Sequence, residues 1–293
     1  MTSDFLLPLI KIALAEDIGT GDITSQLLIA EDTQMQLAFV ARQGMVLCGV
    51  DVPALVYQCH PGEGRDPVLV QTHMHDGQLA KAGDIIATVS GNARSILTGE
   101  RTALNIMQRM SGVATLTRQY VDAVSGTKTK ILDTRKTIPG MRVADKYAVR
   151  IGGGMNHRMG LWDAVLVKDN HVAGFGIQDS GFGEMINNIR HKLSSLNPES
   201  RILTPVFVEC DTLAQLAAVI DIKPDRIMLD NMSLDMLREA VKITAGRIPL
   251  EATGGVTLAN VRSVAETGVD FISVGAITHS APAVDIGLDV IET

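Results

Sequence analysis

The stretch from Ile131 to His171, ILDTRKTIPGMRVADKYAVRIGGGMNHRMGLWDAVLVKDNH, decides the fold. It opens on a short apolar run, Ile131-Leu132, and turns polar at once in Asp133-Thr134-Arg135-Lys136-Thr137. Pro139 and Gly140 punctuate the chain, and a helical pattern follows that sets Val143, Tyr147, Ala148 and Ile151 on one face. Gly152-Gly153-Gly154 ends that helix ahead of Asn156-His157-Arg158, and a second apolar run, Ala164 to Val167, delivers Lys168-Asp169-Asn170-His171. Cations thus stand where strands stop, which in parallel α/β architectures is where ligands bind.

Downstream the same unit repeats. The apolar runs PVFVE, RIMLD, PLEAT and FISVG end at Glu209, Asp230, Thr253 and Gly275, 21 to 23 residues apart. Amphipathic helical segments such as Leu213–Ile220 and Leu234–Ala245 fill the gaps, and a helix-rich insertion covers 183–196. A strand–helix unit of this period predicts a parallel α/β array. With ILDT and AVLVK it has six strands, and a barrel with its site at the C-terminal strand ends is expected.

The stretch 131–171 holds seven Lys/Arg and four Asp, so it carries +3 in a chain of formal charge −7, leaving −10 on the remainder. A basic island on an acidic protein suits a small, highly anionic ligand and excludes nucleic acid as the main partner. Arg142, Lys146 and Arg150, at helical spacing, read as a solvated helix face. Arg135, Lys136, His157, Arg158 and Lys168 cluster at turns and strand ends and read as the site.

Upstream, FLLPLIKIALAEDIG is interrupted by Pro8 and Lys11; it predicts an amphipathic helix ending before Gly19, not a signal peptide. Gly19-Thr20-Gly21-Asp22-Ile23-Thr24 reads as a helix-to-strand turn, since no P-loop pattern accompanies it. Residues 35–90 hold β-type runs (MQLAFVA, MVLCGV, DPVLVQT, DIIATVS) with turns such as HPGEGRDP, a small mostly antiparallel sheet. His73 and His75 read as surface histidines, for no Cys or carboxylate cluster stands near. Residues 93–124 switch to helical period. Arg101, Asn105, Gln108 and Arg109 form a polar stripe, and Leu97, Leu104, Met107 and Met110 the apolar faces. Cys48, Cys59 and Cys210 show no paired spacing, which predicts a reduced, cytoplasmic protein, and no apolar span is long enough for a membrane.

Glu209 and Asp230 end neighbouring strands opposite the basic island. They could serve as a general acid/base pair, hold Mg²⁺ through oxygen ligands, or form an ion pair with Lys168. The Mg²⁺ reading suits a pyrophosphate-bearing substrate. Thr253-Gly254-Gly255 and Gly275 follow the two last strands, the usual place for phosphate in such barrels, where glycine permits close backbone approach.

DTRKT-x-PG, GGG-x-NHR-x-GL and KDNH together resemble the quinolinate phosphoribosyltransferase family, as do EDIGTGDIT, ERTALN and VGAITHS, so that the likeness spans nearly the whole chain. The resemblance implies an α/β barrel of fewer than eight strands (113–275) and an N-terminal α/β sandwich domain (1–112) that residues 276–293 rejoin. It implies transfer of phosphoribosyl from phosphoribosyl pyrophosphate to quinolinate with loss of CO₂. Arg135, Arg158, His157 and Lys168 would bind quinolinate, joined by Arg101 from the other subunit of a homodimer. Lys136, with Mg²⁺ on Glu209 and Asp230, would meet the pyrophosphate, and Thr253, Gly254, Gly255 and Gly275 the 5-phosphate. Two positions depart from the family's pattern: Ile138 stands where threonine is frequent, and Thr253 where serine is common. NHR and KDNH together argue against a molybdenum-locus paralogue of the family. A phosphate-sensing barrel without turnover would be expected to lose Lys136, Glu209 or Asp230, and all three are present.

Overall fold

A computed structural model describes residues 5–60, 67–168, 182–196 and 204–291. Asp169, Asn170 and His171, and most of the HPGEGRDP turn, lie outside the described residues. In chain order the elements begin α1 (Leu7–Ile18), α2 (Ile23–Leu28), β1 (Gln34–Ala41), β2 (Met45–Val46), α3 (Val52–Cys59), β3 (Leu69–Thr72), β4 (Leu79–Ala80), β5 (Ile85–Asn92) and α4 (Ala93–Ala123). Next come β6 (Lys130–Leu132), α5 (Arg142–Ile151), β7 (Val165–Val167), α6 (Phe182–Leu196), β8 (Val206–Cys210) and α7 (Leu213–Ile220). The chain continues through β9 (Arg226–Asp230), α8 (Leu234–Thr244), β10 (Leu250–Thr253), α9 (Val261–Ala265), β11 (Phe271–Ser273), α10 (Ala276–His279) and β12 (Ile286–Val290).

Two compact units result. One comprises residues 1–118, 137–153 and 277–293, the other 119–136 and 154–276. This division differs from a cut made along the chain at 112/113 and 275/276, because α5 packs with the first unit while the segments on either side of it belong to the second.

In the first unit an antiparallel sheet runs β12-β1-β5-β3, with Leu37 opposite Val89 and Phe39 opposite both Ala87 and Leu288. Leu37, Ala38, Phe39 and Ala41 are all buried, so β1 is covered on both faces, as a sandwich requires. The Gly19–Thr24 turn leads into a helix rather than a strand. Asp22 caps α2 by accepting the Ser25 N–H at 3.0 Å, which makes a helix start cheaper than an extended chain. MVLCGV gives only the two-residue β2 before α3, a helix with Val52, Leu55 and Val56 buried.

The helical reading of 142–151 holds, but its faces are turned. Val143 is exposed, whereas Asp145 and Lys146 are buried with Ala144, Ala148 and Val149. Lys146 is therefore no part of a solvated stripe. The reason lies on α4: Arg109, read above as a stripe residue, donates to both carboxylate oxygens of Asp145 (3.1 and 3.2 Å) and to the carbonyl of Ala281 at 3.1 Å. Burial pushes the Asp145 carboxyl up, and the guanidinium opposes that. Removing one partner of such a pair strands a buried charge. Arg109→Ala is expected to cost about 3–5 kcal/mol in urea unfolding, more than a surface arginine could.

The second unit holds six parallel strands in the order β6-β11-β10-β9-β8-β7. Consecutive strands from β7 to β11 are neighbours, and β11 returns to pair with β6: the succession of a barrel whose seam falls between β6 and β7. Helices follow β8, β9, β10 and β11, and the capping box of Thr212 and Gln215 starts α7 directly after β8. Ile227, Leu229, Val208 and Ile272 are fully buried, so the strands read as near-continuous apolar runs, as in a sheet covered on both faces.

Candidate active site

The carboxyl ends of these strands surround a cavity of about 440 Å³. It is lined by Arg135, Lys136, His157, Arg158, Lys168, Glu209, Asp230, Thr253, Gly254 and Gly255, ten of the twelve residues expected at the site. Arg101 and Gly275 are not among its lining residues. Arg101 lies in the first unit, on α4, with its side chain 58% exposed and Glu100 at 3.7 Å. Thr134, Leu166, Met228, Asn231 and Ser273 also line the cavity and were not expected there.

Asp133 organises the basic side. β6 ends at Leu132, and Met155 runs alongside it, donating to the Ile131 carbonyl (2.8 Å) and accepting from the Asp133 N–H (3.1 Å). The fully buried Asp133 carboxylate then accepts from the Asn156 side chain and the His157 N–H, both at 2.7 Å. One buried acid thereby ties the DTRKT turn to the NHR segment, so that Asp133 and Asn156, 23 positions apart, belong to a single wall. Thr134 accepts the Lys136 N–H at 3.0 Å and curls the turn so that Arg135 and Lys136 are exposed at the mouth. Arg158 donates its N–H to Nδ1 of His157 (2.8 Å) and its guanidinium to the Ala164 carbonyl (2.8 Å). Burial, and after it the charge of Arg135, lowers the Arg158 pKa below the usual guanidinium value, so two like charges share the pocket.

On the acidic side Lys168 donates to both oxygens of Glu209, at 3.1 and 2.9 Å. The ion pair, one of the three readings open from sequence, is therefore formed. Asp230 accepts from the Asn231 side chain at 2.8 Å, and Asn231 N–H donates to the Thr253 carbonyl at 2.9 Å. Asn231 and Gly254 both have positive φ, +52° and +88°, and a Cβ on Gly254 would stand 2.2 Å from the Asn231 side-chain oxygen. Glycine is required there by conformation and by space. Gly255, φ +61°, has nothing within 4 Å of a Cβ position and lines the cavity. Asn231 follows Asp230 directly, and its short side chain tolerant of positive φ was the signal for it.

Glu209 and Asp230 offer oxygen atoms alone, on adjacent strands and lining one cavity, and the Glu209 oxygens are shared with the Lys168 ammonium. That donor set fits Mg²⁺, which is commonly held by one or two carboxylates plus substrate oxygens. His73, for its part, contacts the Thr88 hydroxyl at 3.2 Å on the antiparallel sheet.

The chain is similar to known proteins over nearly its whole length. Residues 22–111 match the N-terminal domain, and 113–289 the C-terminal domain, of quinolinate phosphoribosyl transferase. A nicotinate-nucleotide pyrophosphorylase [carboxylating] from Mycobacterium leprae is 44% identical over 285 residues, covering 96% of this chain and 95% of that protein. A chloroplastic relative of the same name from Arabidopsis thaliana is 41% identical, over 97% of this chain and 82% of that one. The solved nicotinate-nucleotide pyrophosphorylase from Francisella tularensis superposes with a TM-score of 0.87 at 42% identity, covering 99% and 98% of the two chains. With both domain profiles matched and relatives above 40% identity over nearly its full length, the chain belongs to the quinolinate phosphoribosyltransferase family.

Proposed function

We propose that the cavity transfers the phosphoribosyl group of phosphoribosyl pyrophosphate to the ring nitrogen of quinolinate, forming nicotinate mononucleotide, pyrophosphate and CO₂, a step of NAD biosynthesis. The observation that carries this reading is the lining itself: four cations against two carboxylates, with Arg135 and Arg158 close enough to repel. A dianion with adjacent carboxylates relieves that repulsion, and guanidinium forks match carboxylates bidentately. Lys168 reaches quinolinate by sharing its ammonium with Glu209, and His157 walls the same side. Arg101 completes the pocket from the other subunit of a two-fold dimer, which its exposed side chain supports.

On the donor side, Lys136 balances charge on the departing pyrophosphate. Thr253, Gly254, Gly255 and the Gly275 turn receive the 5-phosphate through backbone N–H groups. When bound, Mg²⁺ held by Glu209 and Asp230 would supply further positive charge to the pyrophosphate oxygens. The C1–O bond to pyrophosphate breaks as the ring-nitrogen lone pair forms the C1–N bond, and Asp230 stabilises positive charge developing on the ribose carbon. The ring is now cationic. The bond from ring carbon 2 to its carboxylate breaks, its electron pair stays on the carbon beside N⁺, and a proton from solvent completes the product.

Among the described residues no helix is long and apolar enough to cross a membrane. All three cysteines are free, and burial pushes the Cys210 thiol up to about 12, properties that suit a reducing compartment such as the cytoplasm. The test is direct. Quinolinate labelled in its 2-carboxylate, with donor and Mg²⁺, should release labelled CO₂ in step with nicotinate mononucleotide. Donor consumption without CO₂ release would overturn the reading.

A further inference from the structure

Beneath the basic wall, His157 joins a polar chain inside the barrel whose deeper members, Glu251 and Arg226, are not among the residues lining the cavity. Arg226, at the start of β9, lies between two aromatic rings, 4.9 Å from the centre of Phe207 and 4.1 Å from that of Phe271. It donates to one oxygen of Glu251 at 2.7 Å. Glu251, on β10, is fully buried; its other oxygen accepts from the Ser273 hydroxyl and lies 3.6 Å from Nε2 of His157, an electrostatic contact longer than a hydrogen bond. His157 is itself buried, with its ring edge-on to Phe207 at 5.5 Å. Its Nδ1 accepts the Arg158 N–H, so the proton of a neutral ring sits on Nε2, toward the carboxylate.

We propose that Glu251 is a positioning residue for the transfer reaction, holding His157 in the Nε2–H form so that Nδ1 anchors the backbone of Arg158. The chain Arg226–Glu251–His157–Arg158 carries the rigidity of the barrel interior out to the guanidinium that grips substrate. His157 then acts as a neutral strut, and the positive charge of the pocket comes from the arginines and lysines. Ser273 belongs to the same device: its hydroxyl fixes the Glu251 oxygen that the imidazole faces, while the residue also lines the cavity. A carboxylate orienting an imidazole through its second nitrogen is a general means of fixing a tautomer. The role in substrate binding rests on the assignment of the cavity to quinolinate; the tautomer does not.

The experiment is ¹⁵N NMR of protein labelled at histidine. There are seven histidines, and the His157 signals are those lost in His157→Gln. In the ligand-free wild type at neutral pH, His157 should show a protonated Nε2 and an unprotonated Nδ1. In Glu251→Gln the carboxamide can turn an N–H toward the ring, so the proton should move to Nδ1 or the ring should sample both forms. Quinolinate KM should then rise on the order of tenfold with the donor KM unchanged, the effect of losing the Nδ1 acceptor that holds the Arg158 N–H. Glu251→Asp, which keeps the charge, should restore the tautomer in part.

A purely structural Glu251 would lower stability without moving the tautomer or separating the two KM values, and that result overturns the proposal. So does a wild-type His157 protonated on Nδ1, a measurement that stands even if Glu251→Gln fails to fold. If the wild type shows the Nε2–H form but binds no quinolinate, the assignment of the cavity falls while the tautomer lock stands.

Discussion

Arg101→Ala and Lys136→Ala, each nearly inactive alone, are expected to recover about a quarter of wild-type activity when unfolded together and refolded at equal concentration. Random pairing makes half the dimers hybrids. If Arg101 serves the partner's barrel, one site of each hybrid carries both defects and the other carries neither. Half the dimers with one good site of two gives the quarter. The motive is positional: Arg101 stands on α4 with an exposed side chain, and it is not among the residues lining the cavity of its own chain. Hybrids isolated with two affinity tags and found inactive would place Arg101 in cis or outside the reaction.

The second large effect concerns substrate choice. Nicotinate lacks the 2-carboxylate, and its kcat/KM should fall on the order of 10⁴-fold below that of quinolinate. Arg135, Arg158 and Lys168 line one cavity, and binding a monoanion leaves at least one of them desolvated beside another cation. A pocket built to pair charges rejects a ligand that leaves one unmatched far more strongly than an apolar pocket rejects a missing methyl group. Steady-state rates with both acids check this directly, and comparable values would show that the arginines do not read the second carboxylate.

The strand ends were legible because the physics there is local. PVFVE, RIMLD and PLEAT are apolar runs that stop at a polar residue, and the strands end within one residue of Glu209, Asp230 and Thr253. FISVG is less faithful, for β11 stops at Ser273 and Gly275 stands beyond it, outside the residues lining the cavity. What stayed hidden depends on partners far away in the chain. Lys146 looked solvated because nothing in helical periodicity signals that Arg109, 36 residues before the neighbouring Asp145, turns that face inward. Asp133 and Glu251 are acids inside a strand-end pattern and within an apolar run; only the fold shows that one ties two loops together and the other holds an imidazole. Asn231 was the nearest to being readable, an asparagine directly after a strand-end aspartate.

The division of the chain has a consequence for synthesis. β12 (286–290) hydrogen-bonds along β1 (34–41), so the antiparallel sheet lacks one edge until all six barrel strands have been translated. The nascent first unit must wait on the ribosome with β1 uncovered on that side, a bare edge carrying Leu37 and Phe39. Long-range pairings of this kind close slowly. A fragment stopping after the barrel would leave that edge open for good, ready to recruit a strand from another chain, so the barrel cannot be cut away at residue 276 without injuring a sheet that begins at residue 34.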